Sequence, residues 1–292
     1  MHYCLWLLGD QALSEIDFKT LQSKIEAIGI SWHQENGLAF SPFRLGLKIT
    51  SDLAFSELKS SIRNCLVDYS LDFVLKPWGQ HVLKPKLIIM DMDSTLVQAE
   101  TIDQIANHAG VMDKVSAITE SAMRGELDFT ESLKARVAML KGLNKSQLEP
   151  VHKALPLTEG AAELVTQAQQ HNCQTALVSG GFTYFAEPLA NRIGVDSVRA
   201  NELGFKDNCL SGVVVGEIVD AEFKRRRLNE LMKELGITRE QTIAIGDGAN
   251  DLPMLGAAGT GIAFHGKPKV QEQANAMINI YGLNAVSWLL GW

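Results

Sequence analysis

The sequence has few cysteines, no leader-like start and no long apolar run. Its four cysteines, Cys4, Cys65, Cys173 and Cys209, lie far apart, without a C-x-x-C pair or histidines at zinc-binding spacing. Scattered thiols of this kind are typical of reduced intracellular proteins, so we expect a cytoplasmic location. The first ten residues lack the basic segment and the small-residue cleavage site of a signal peptide, and no apolar run approaches membrane-spanning length. Export and membrane insertion are therefore not expected.

The chain also lacks an excess of positive charge. It carries 27 lysines and arginines against 34 aspartates and glutamates, a net charge of −7. Such a chain is poorly suited to nucleic acid or to an anionic membrane, so neither is expected as a partner. The G-x-G-x-x-G fingerprint of dinucleotide binding is absent as well. What is present is a globular composition, 292 residues of which 46% are apolar, which is enough for two domains.

Residues 1–77 have a different order of predicted strands and helices from the rest of the chain. Short apolar strands alternate there with two amphipathic helices, "DFKTLQSKIEAIG" and "FSELKSSIRNCLVDY", in the order βαββαβ. This order predicts a small α+β domain, followed by a linker over residues 78–85. The pattern resembles that of the ACT family of regulatory domains, although no diagnostic motif supports the likeness. Serine sensing, dimerisation and stabilisation stay open as roles, and with them a homodimer.

From residue 86 to 292 the pattern predicts an α/β domain. The runs "KLIIMDMD", "TALVSGG" and "TIAIGDG" are continuously apolar and end in aspartates or glycine-rich turns. Such runs are typical of parallel strands that are buried on both faces. We expect an open, Rossmann-like parallel sheet with its functional groups at the carboxyl ends of the strands. Four helical stretches at about 100–155 predict an inserted cap, and "VRANELGFKDNCLSGVVVGEIVD" predicts a hairpin.

Two strand ends carry clustered acidic residues. Asp91 and Asp93 are two positions apart and share one face of a strand, while Asp247, Asn250 and Asp251 follow another strand. The alternative interpretation is a pair of ordinary strand-to-helix turns with aspartate caps. Four carboxylates in one crevice repel each other unless a cation lies among them. An oxygen-only ligand set without histidine or cysteine favours Mg²⁺.

Two further segments suit a phosphate group. Ser179 and the glycines of "VSGGF" predict an anion-binding turn, although a plain left-handed turn is the alternative. "FKRRR" (223–227) places four cations together, and spacing alone does not decide whether one of them binds phosphate. Together the segments predict phosphoryl transfer, with one carboxylate as nucleophile and another as general acid and base.

The four motifs, in this order and with an inserted cap, resemble those of the haloacid dehalogenase superfamily of phosphatases. Within it, "MDMDSTLVQAETID", "VSGGFT", "VDAEFK" and "IAIGDGANDLPML" are similar to the phosphoserine phosphatases, over about residues 84–290. The resemblance implies Mg²⁺-dependent hydrolysis of O-phospho-L-serine to serine and phosphate, through an aspartyl-phosphate, as the last step of serine biosynthesis.

The resemblance also implies a role for individual acidic residues. Asp91 would be the nucleophile and Asp93 the general acid and base. Mg²⁺ would be held by the Asp91 carboxylate, the Asp93 backbone carbonyl and Asp247, with Asp251 supporting these ligands from behind.

For the substrate, the resemblance implies two groups of residues. Ser179, Gly180 and Lys224 would bind the phosphate, with Asn250 steadying the site. The cap would supply the others: Glu100 for the serine ammonium, Arg136 for its carboxylate, and Met123 and Phe129 to close the pocket. From the residues alone, side chains such as Glu100 and Arg136 are more often exposed helix charges than ligands, and Met123 and Phe129 are better explained as part of the cap core.

Three other functions are compatible with parts of the sequence. A related phosphatase could act on phosphohomoserine or a sugar phosphate. A phosphorylatable receiver domain also places acids around Mg²⁺ and carries a lysine, but it is shorter and has no such cap. A serine-binding protein would use the N-terminal region instead.

Overall fold

A computed structural model of the chain describes residues 1–10, 18–33, 43–79 and 84–292. The described strands are β1 His2–Leu8, β2 Ser31–His33, β3 Arg44–Thr50, β4 Asp72–Pro77, β5 Leu87–Met90, β6 Gln174–Phe182, β7 Ser197–Lys206, β8 Cys209–Val215, β9 Thr242–Gly246, β10 Thr260–Phe264 and β11 Ala276–Ile278. They form one sheet in the order β2-β3-β1-β4-β11-β10-β9-β5-β6-β7-β8.

Helices pack on this sheet, and some of them form a cap above one edge. The described α-helices are Phe18–Ala27, Phe55–Leu66, Thr101–His108, Met112–Met123, Phe129–Ala138, Lys145–Ala154, Ala161–Gln170, Thr183–Ile193, Ala221–Leu235, Leu252–Ala257, Pro268–Gln273 and Asn284–Leu290. Short 3-10 turns cover Arg239–Gln241 and Ala249–Asp251. None of the described helices has the length and apolar character that crossing a membrane would take.

The centre of the sheet is parallel, as the apolar runs predicted. Strand β5 lies between β9 and β6, with Met90 opposite Ile245 on one side and Leu177 on the other. All four residues of β5 are buried, because helices cover both faces of the sheet. Parallel strands end at a common edge, so the segments that follow β5, β6 and β9 meet there. The predicted parallel α/β sheet is confirmed.

The insert between β5 and β6 is helical, which confirms the predicted cap. Its third and fourth helices begin with capping boxes, in which Asp128 pairs with Glu131 and Asn144 pairs with Gln147. These reciprocal bonds satisfy free N–H groups at the first turn and fix where each helix starts. The predicted hairpin is also present, since β7 and β8 pair antiparallel.

The N-terminal strands continue the same sheet. In this part β1 lies between β3 and β4 and is antiparallel to both. Strand β4 then pairs antiparallel with β11, placing Val74 opposite Ala276 and Phe73 opposite Met277. The sheet therefore runs across the predicted boundary between residues 77 and 86. That boundary and the ACT-like resemblance stay predictions, and "NGLAFSP" together with residues 80–83 of the linker lies outside the described residues.

Buried charged side chains fasten the N-terminal part to the rest. The Asp72 carboxylate accepts hydrogen bonds from three successive backbone N–H groups, those of Asn279 (2.7 Å), Ile280 (3.1 Å) and Tyr281 (3.1 Å). The buried ammonium of Lys59 donates to backbone carbonyls of residues 271, 272 and 274, at the end of the helix Pro268–Gln273. Cations suit the carbonyl end of a helix, and buried charges need such partners.

Candidate active site

The carboxyl end of β5 presents a carboxylate that is paired with a buried lysine. Asp91 is 4% exposed, and its Oδ2 lies 2.7 Å from the Nζ of Lys224. The same Nζ lies 2.7 Å from Oδ1 of Asp251, and both of these side chains are fully buried. Burial alone would lower the pKa of Lys224, but Asp251 and Asp91 raise it above its usual value. Lys224 is therefore a permanent positive charge at this point.

The position of Lys224 comes from the helix that carries it. Asp220 caps the helix Ala221–Leu235 by accepting a hydrogen bond from the N–H of Phe223 at 2.8 Å. Lys224 then faces inward, whereas the three arginines that follow it pair with glutamates on the surface: Arg225 with Glu222, Arg226 with Glu217 and Arg227 with Glu234. The structure thus distinguishes the four cations of "FKRRR", which spacing could not do.

A third aspartate completes an acidic cluster. Carboxylate oxygens of Asp91, Asp247 and Asp251 all lie within 4.8 Å of one another. Burial, followed by repulsion from Asp251 and Asp91, raises the pKa of Asp247 to about 7. One lysine does not neutralise three carboxylates, so the cluster has a deficit of positive charge. Oxygen ligands at this spacing fit a divalent cation.

Asp93 lies next to the cluster but in a different environment. Its carboxylate accepts hydrogen bonds from the backbone N–H of Thr101 at 3.2 Å and from the Thr101 hydroxyl at 3.1 Å. Burial raises the pKa of Asp93 well above its ordinary value, and the charges of Glu100 and Asp91 raise it further. A carboxyl group of this kind keeps its proton at a pH where an exposed aspartate has lost it.

The end of β6 supplies a hydroxyl and closely packed backbone. Ser179 is fully buried, and its Oγ accepts a hydrogen bond from the N–H of Gly181 at 2.8 Å. A Cβ atom on Gly181 would lie 2.8 Å from Oδ2 of Asp93 and 3.1 Å from the Ser179 Oγ. Position 181 therefore has no room for a side chain, which explains the second glycine of "SGG" in terms of space.

A cavity of about 300 Å³ joins these groups to the cap. Its lining residues are Asp91, Asp93, Glu100, Ile102, Asp103, Thr119, Phe129, Leu133, Arg136, Ser179, Gly180, Gly181, Phe182, Asp247, Gly248, Asn250 and Lys267. Nine of the twelve predicted site residues are thus among them. The other three are Lys224 and Asp251, which lie behind Asp91, and Met123.

Glu100 and Arg136 line the cap side of the cavity. The Ser94 hydroxyl donates to Oε1 of Glu100 at 3.0 Å, which orients that carboxylate. Arg136 is half-buried, and its Nε donates to the Ser132 carbonyl at 3.4 Å. Burial lowers the pKa of Arg136, while the nearby carboxylates of Asp103 and Glu100 raise it. The cap side of the cavity thus carries the guanidinium of Arg136 together with the carboxylates of Glu100 and Asp103.

Asp251, which was expected to support the metal ligands from behind, does not line the cavity. Both of its oxygens are already engaged, Oδ1 with Lys224 at 2.7 Å and Oδ2 with the N–H of Gly248 at 3.0 Å. Nine predicted residues therefore line the cavity directly, and Lys224 and Asp251 support Asp91 from the protein side.

Met123 is the predicted site residue that the structure does not bring to the cavity. It is the last residue of the helix Met112–Met123, and 78% of its surface is exposed. The chain turns away at Gly125 directly afterwards, so the side chain points into solvent. Phe129, in contrast, lies at the entrance, 3.2 Å from where a Cβ of Gly180 would be.

Sequence reasoning also missed residues that belong to the site. Asp103 and Lys267 line the cavity, and the N–H of Lys267 donates to the Asp247 carbonyl at 3.1 Å. Asp103 could have been suggested by its place one helical turn after Glu100. Asn201 is fully buried behind Gly180, and no motif in the sequence marks it.

A parallel α/β sheet whose strand ends carry an aspartate cluster around a buried lysine, beneath a helical cap, defines a class of phosphoryl-transfer hydrolases. Residues 85–259 match the model of the haloacid dehalogenase-like hydrolases. A phosphoserine phosphatase of Haemophilus influenzae is 47% identical over 223 residues, which are 76% of this chain and 71% of that protein. The chain belongs to the haloacid dehalogenase-like hydrolase family and, within it, to the phosphoserine phosphatases.

Solved structures agree with this assignment. A haloacid dehalogenase family hydrolase from Salmonella enterica serovar Typhi superimposes with a TM-score of 0.84 at 31% identity, covering 99% of this chain and 98% of that one. A substrate-bound phosphoserine phosphatase superimposes with a TM-score of 0.65 at 41% identity, covering 70% of this chain and 97% of that one. The first match includes the N-terminal part of the sheet.

Proposed function

We propose that the protein hydrolyses O-phospho-L-serine to L-serine and phosphate, through a phosphoryl group carried by Asp91. The observation that supports this most directly is the Lys224 ammonium held 2.7 Å from both Asp91 and Asp251. A fully buried lysine charge against one oxygen of Asp91 orients that carboxylate for nucleophilic attack and places positive charge beside it. The name that the relatives share, phosphoserine phosphatase, supports the substrate.

In the first step, an Asp91 oxygen attacks phosphorus and the bond from phosphorus to the serine oxygen breaks. The departing oxygen needs a proton, which Asp93 supplies as a general acid. The raised pKa of Asp93, caused first by burial, suits it for this role. The hydrogen bonds from Thr101 hold the carboxyl group in place, at 3.2 Å and 3.1 Å.

In the second step, water replaces the aspartate. Asp93 has lost its proton and now accepts one from the attacking water, which releases phosphate and regenerates the Asp91 carboxylate. Ser179 and Gly180 hold the phosphoryl oxygens in both steps, Lys224 supplies positive charge to the phosphoryl group from beside Asp91, and Asn250 also lines the cavity. Donors fixed before the reaction are effective because they need no reorganisation.

The metal that fits the acidic cluster is Mg²⁺. Asp91 and Asp247 would hold it together with the backbone carbonyl of Asp93, and Asp251 would support them. When bound, the ion supplies positive charge to the phosphoryl oxygens. The deficit of positive charge among three carboxylates within 4.8 Å supports this proposal.

The cap residues select the amino-acid part of the substrate. Glu100 accepts the serine ammonium and Arg136 binds its carboxylate, because a planar guanidinium matches a carboxylate. Phe129 closes the entrance beside Gly180. A sugar phosphate would leave both cap charges without a partner, which disfavours it as a substrate.

The experiment that tests this function is phosphate release from a panel of substrates at equal concentration. The panel contains O-phospho-L-serine, O-phospho-D-serine, phosphohomoserine and two sugar phosphates, each with Mg²⁺, with Mn²⁺ and with EDTA. We expect the highest kcat/KM for O-phospho-L-serine and no turnover in EDTA. A higher kcat/KM for a sugar phosphate would contradict the proposed substrate, and a stable phosphoprotein without turnover would favour a receiver.

The setting of the reaction is part of the proposal. We place the enzyme in the cytoplasm, as the last step of serine biosynthesis, and its four cysteines are free thiols as that compartment requires. Light scattering coupled to size-exclusion chromatography would distinguish a monomer from a homodimer. We also keep the ACT-like assignment of residues 1–77, the linker 78–85 and the domain 86–292 as proposals.

A further inference from the structure

We propose that Asn201 is a positioning residue, which aligns the phosphate-binding turn and the helix of Lys224 with each other. Asn201 lies on β7, which is separated from β5 by β6, and it does not line the cavity. Its side chain is fully buried, and both ends of its amide are bonded to backbone groups of two active-site segments. The inference rests on the proposed function of those segments.

The two hydrogen bonds of Asn201 are short and complementary. Its Nδ2 donates to the carbonyl of Gly180 at 2.8 Å, and its Oδ1 accepts from the N–H of Val219 at 2.8 Å. A carbonyl only accepts and an N–H only donates, so these partners fix which end of the amide faces which segment. The side chain therefore fits this place in one orientation.

The first bond reaches the Ser179 hydroxyl through a single peptide unit. The carbonyl of Gly180 and the N–H of Gly181 belong to the same trans peptide, so they point in opposite directions. Asn201 holds the carbonyl, and the N–H donates to the Ser179 Oγ at 2.8 Å. Because the Oγ accepts this bond, its own proton stays available for a phosphoryl oxygen. Asn201 thus fixes the orientation of a phosphate-binding hydroxyl that it does not touch.

The second bond reaches Lys224. Val219 immediately precedes Asp220, whose carboxylate caps the lysine helix through the N–H of Phe223 at 2.8 Å. The Val219 carbonyl also lies 3.6 Å from where a Cβ of Gly180 would be, so the two backbones run close together. A buried amide between them keeps the hydroxyl of Ser179 and the ammonium of Lys224 at a fixed separation. Small displacements of such groups are costly in rate.

The chain offers a matched control on the same pair of strands. Thr175 lies near the start of β6 and is 1% exposed, and its hydroxyl donates to Oδ2 of Asp196 at 2.8 Å. This bond also joins β6 to the region of β7, but at the edge of the sheet opposite to the cavity. Thr175→Val therefore removes a comparable buried hydrogen bond far from the chemistry.

The test compares the full-length wild-type protein with Asn201→Leu, Asn201→Asp and Thr175→Val. Asn201→Leu removes both bonds, whereas Asn201→Asp keeps the acceptor for Val219 and loses the donor to Gly180. For each protein, kcat and KM are measured with O-phospho-L-serine and with p-nitrophenyl phosphate. The affinity for inorganic phosphate is measured by calorimetry, and the melting temperature by circular dichroism.

We expect both Asn201 variants to lose about 10- to 100-fold in kcat/KM with either substrate, and to bind inorganic phosphate more weakly. Thr175→Val should stay within twofold of wild type in kcat/KM with each substrate and in its affinity for inorganic phosphate. Its melting temperature should nevertheless fall as far as that of the Asn201 variants. Asn201 variants within twofold of wild type, or losses that match those of Thr175→Val at equal melting temperature, would overturn the inference.

The outcome separates this inference from the proposed function. If the wild-type protein hydrolyses p-nitrophenyl phosphate but not O-phospho-L-serine, the substrate is wrong, and Asn201 is judged on the aryl phosphate. If neither substrate is hydrolysed, the phosphate affinities of the same four proteins decide on Asn201.

Discussion

Replacing Arg136 by methionine should change which substrate the enzyme prefers. Methionine keeps most of the apolar stem of arginine but removes the guanidinium that faces the cavity. Among the described residues, this guanidinium forms no ion pair, and its Nε donates to the Ser132 carbonyl at 3.4 Å. Its other donors are therefore available to a substrate carboxylate.

The size of the effect follows from the number and type of those donors. A hydrogen bond between charged groups contributes about 1.5–3 kcal/mol, and the half-buried position of Arg136 favours neither extreme. A loss of about 2–2.5 kcal/mol corresponds to a decrease of about 30- to 70-fold in kcat/KM for O-phospho-L-serine. An aryl phosphate has no carboxylate for Arg136 to bind, so its kcat/KM should change by less than about threefold.

The assay is steady-state phosphate release from both substrates at saturating Mg²⁺. Arg124→Met is the matched control, because Arg124 lies on the same cap and pairs with Glu126 at 2.7 Å on the surface, outside the cavity lining. This control should leave both substrates unchanged. Equal losses on phosphoserine and on the aryl phosphate in Arg136→Met would refute the reasoning, since they would make Arg136 a structural residue of the cap.

Three further predictions concern the nucleophile, the metal and the junction with the N-terminal strands. Asp91→Asn should abolish turnover, because it removes the nucleophile, while the circular dichroism spectrum and the melting temperature stay close to those of wild type, because the side-chain volume barely changes. Retention of more than about one per cent of the activity would exclude Asp91 as the nucleophile. EDTA should stop the reaction and added Mg²⁺ should restore it, whereas full activity in EDTA would remove the metal from the mechanism. Burial lowers the pKa of Lys59 from 10.5 to about 8. Between pH 8 and 10.5 the unfolded chain still binds the Lys59 proton that the folded chain has released, so the folded state becomes more stable as the pH rises. The free energy of unfolding of the wild-type protein, relative to that of Lys59→Met, should therefore increase by about 2–3 kcal/mol over this range, as measured by urea unfolding. A difference that does not change with pH would contradict the assignment.

The parts of the site that the sequence predicts are those built by local chain geometry. A buried strand that ends in aspartate needs only its own residues to place the carboxylate at the sheet edge, and parallel pairing then brings β5, β6 and β9 together. Lys224 required the family resemblance, because its three arginine neighbours have the same charge and nearly the same spacing. Only the burial of one side chain separates it from them.

The parts that sequence analysis missed depend on contacts between distant segments. Nothing in "LDFVLKP" indicates that Val74 would pair with Ala276, some two hundred residues away, because sheet edges are complementary only once both are folded. Asn201 sits in a hairpin rich in polar residues, and its role arises from two backbone groups on other elements. Met123 was expected at the pocket by resemblance, but the position at which its helix ends leaves it exposed.

The junction with the N-terminal strands lies closer to the chemistry than the order of domains suggests. The N–H of Lys267 supports the Asp247 backbone at 3.1 Å, and the helix Pro268–Gln273 begins at the next residue. The far end of that helix is held by Lys59, whose ammonium donates to the Ala274 carbonyl at 2.6 Å. Without the N-terminal part, this carbonyl would lose its charged partner and the edge of β11 would be unpaired. One side of the acidic cluster is therefore supported, through a single helix, by residues that lie outside the catalytic match.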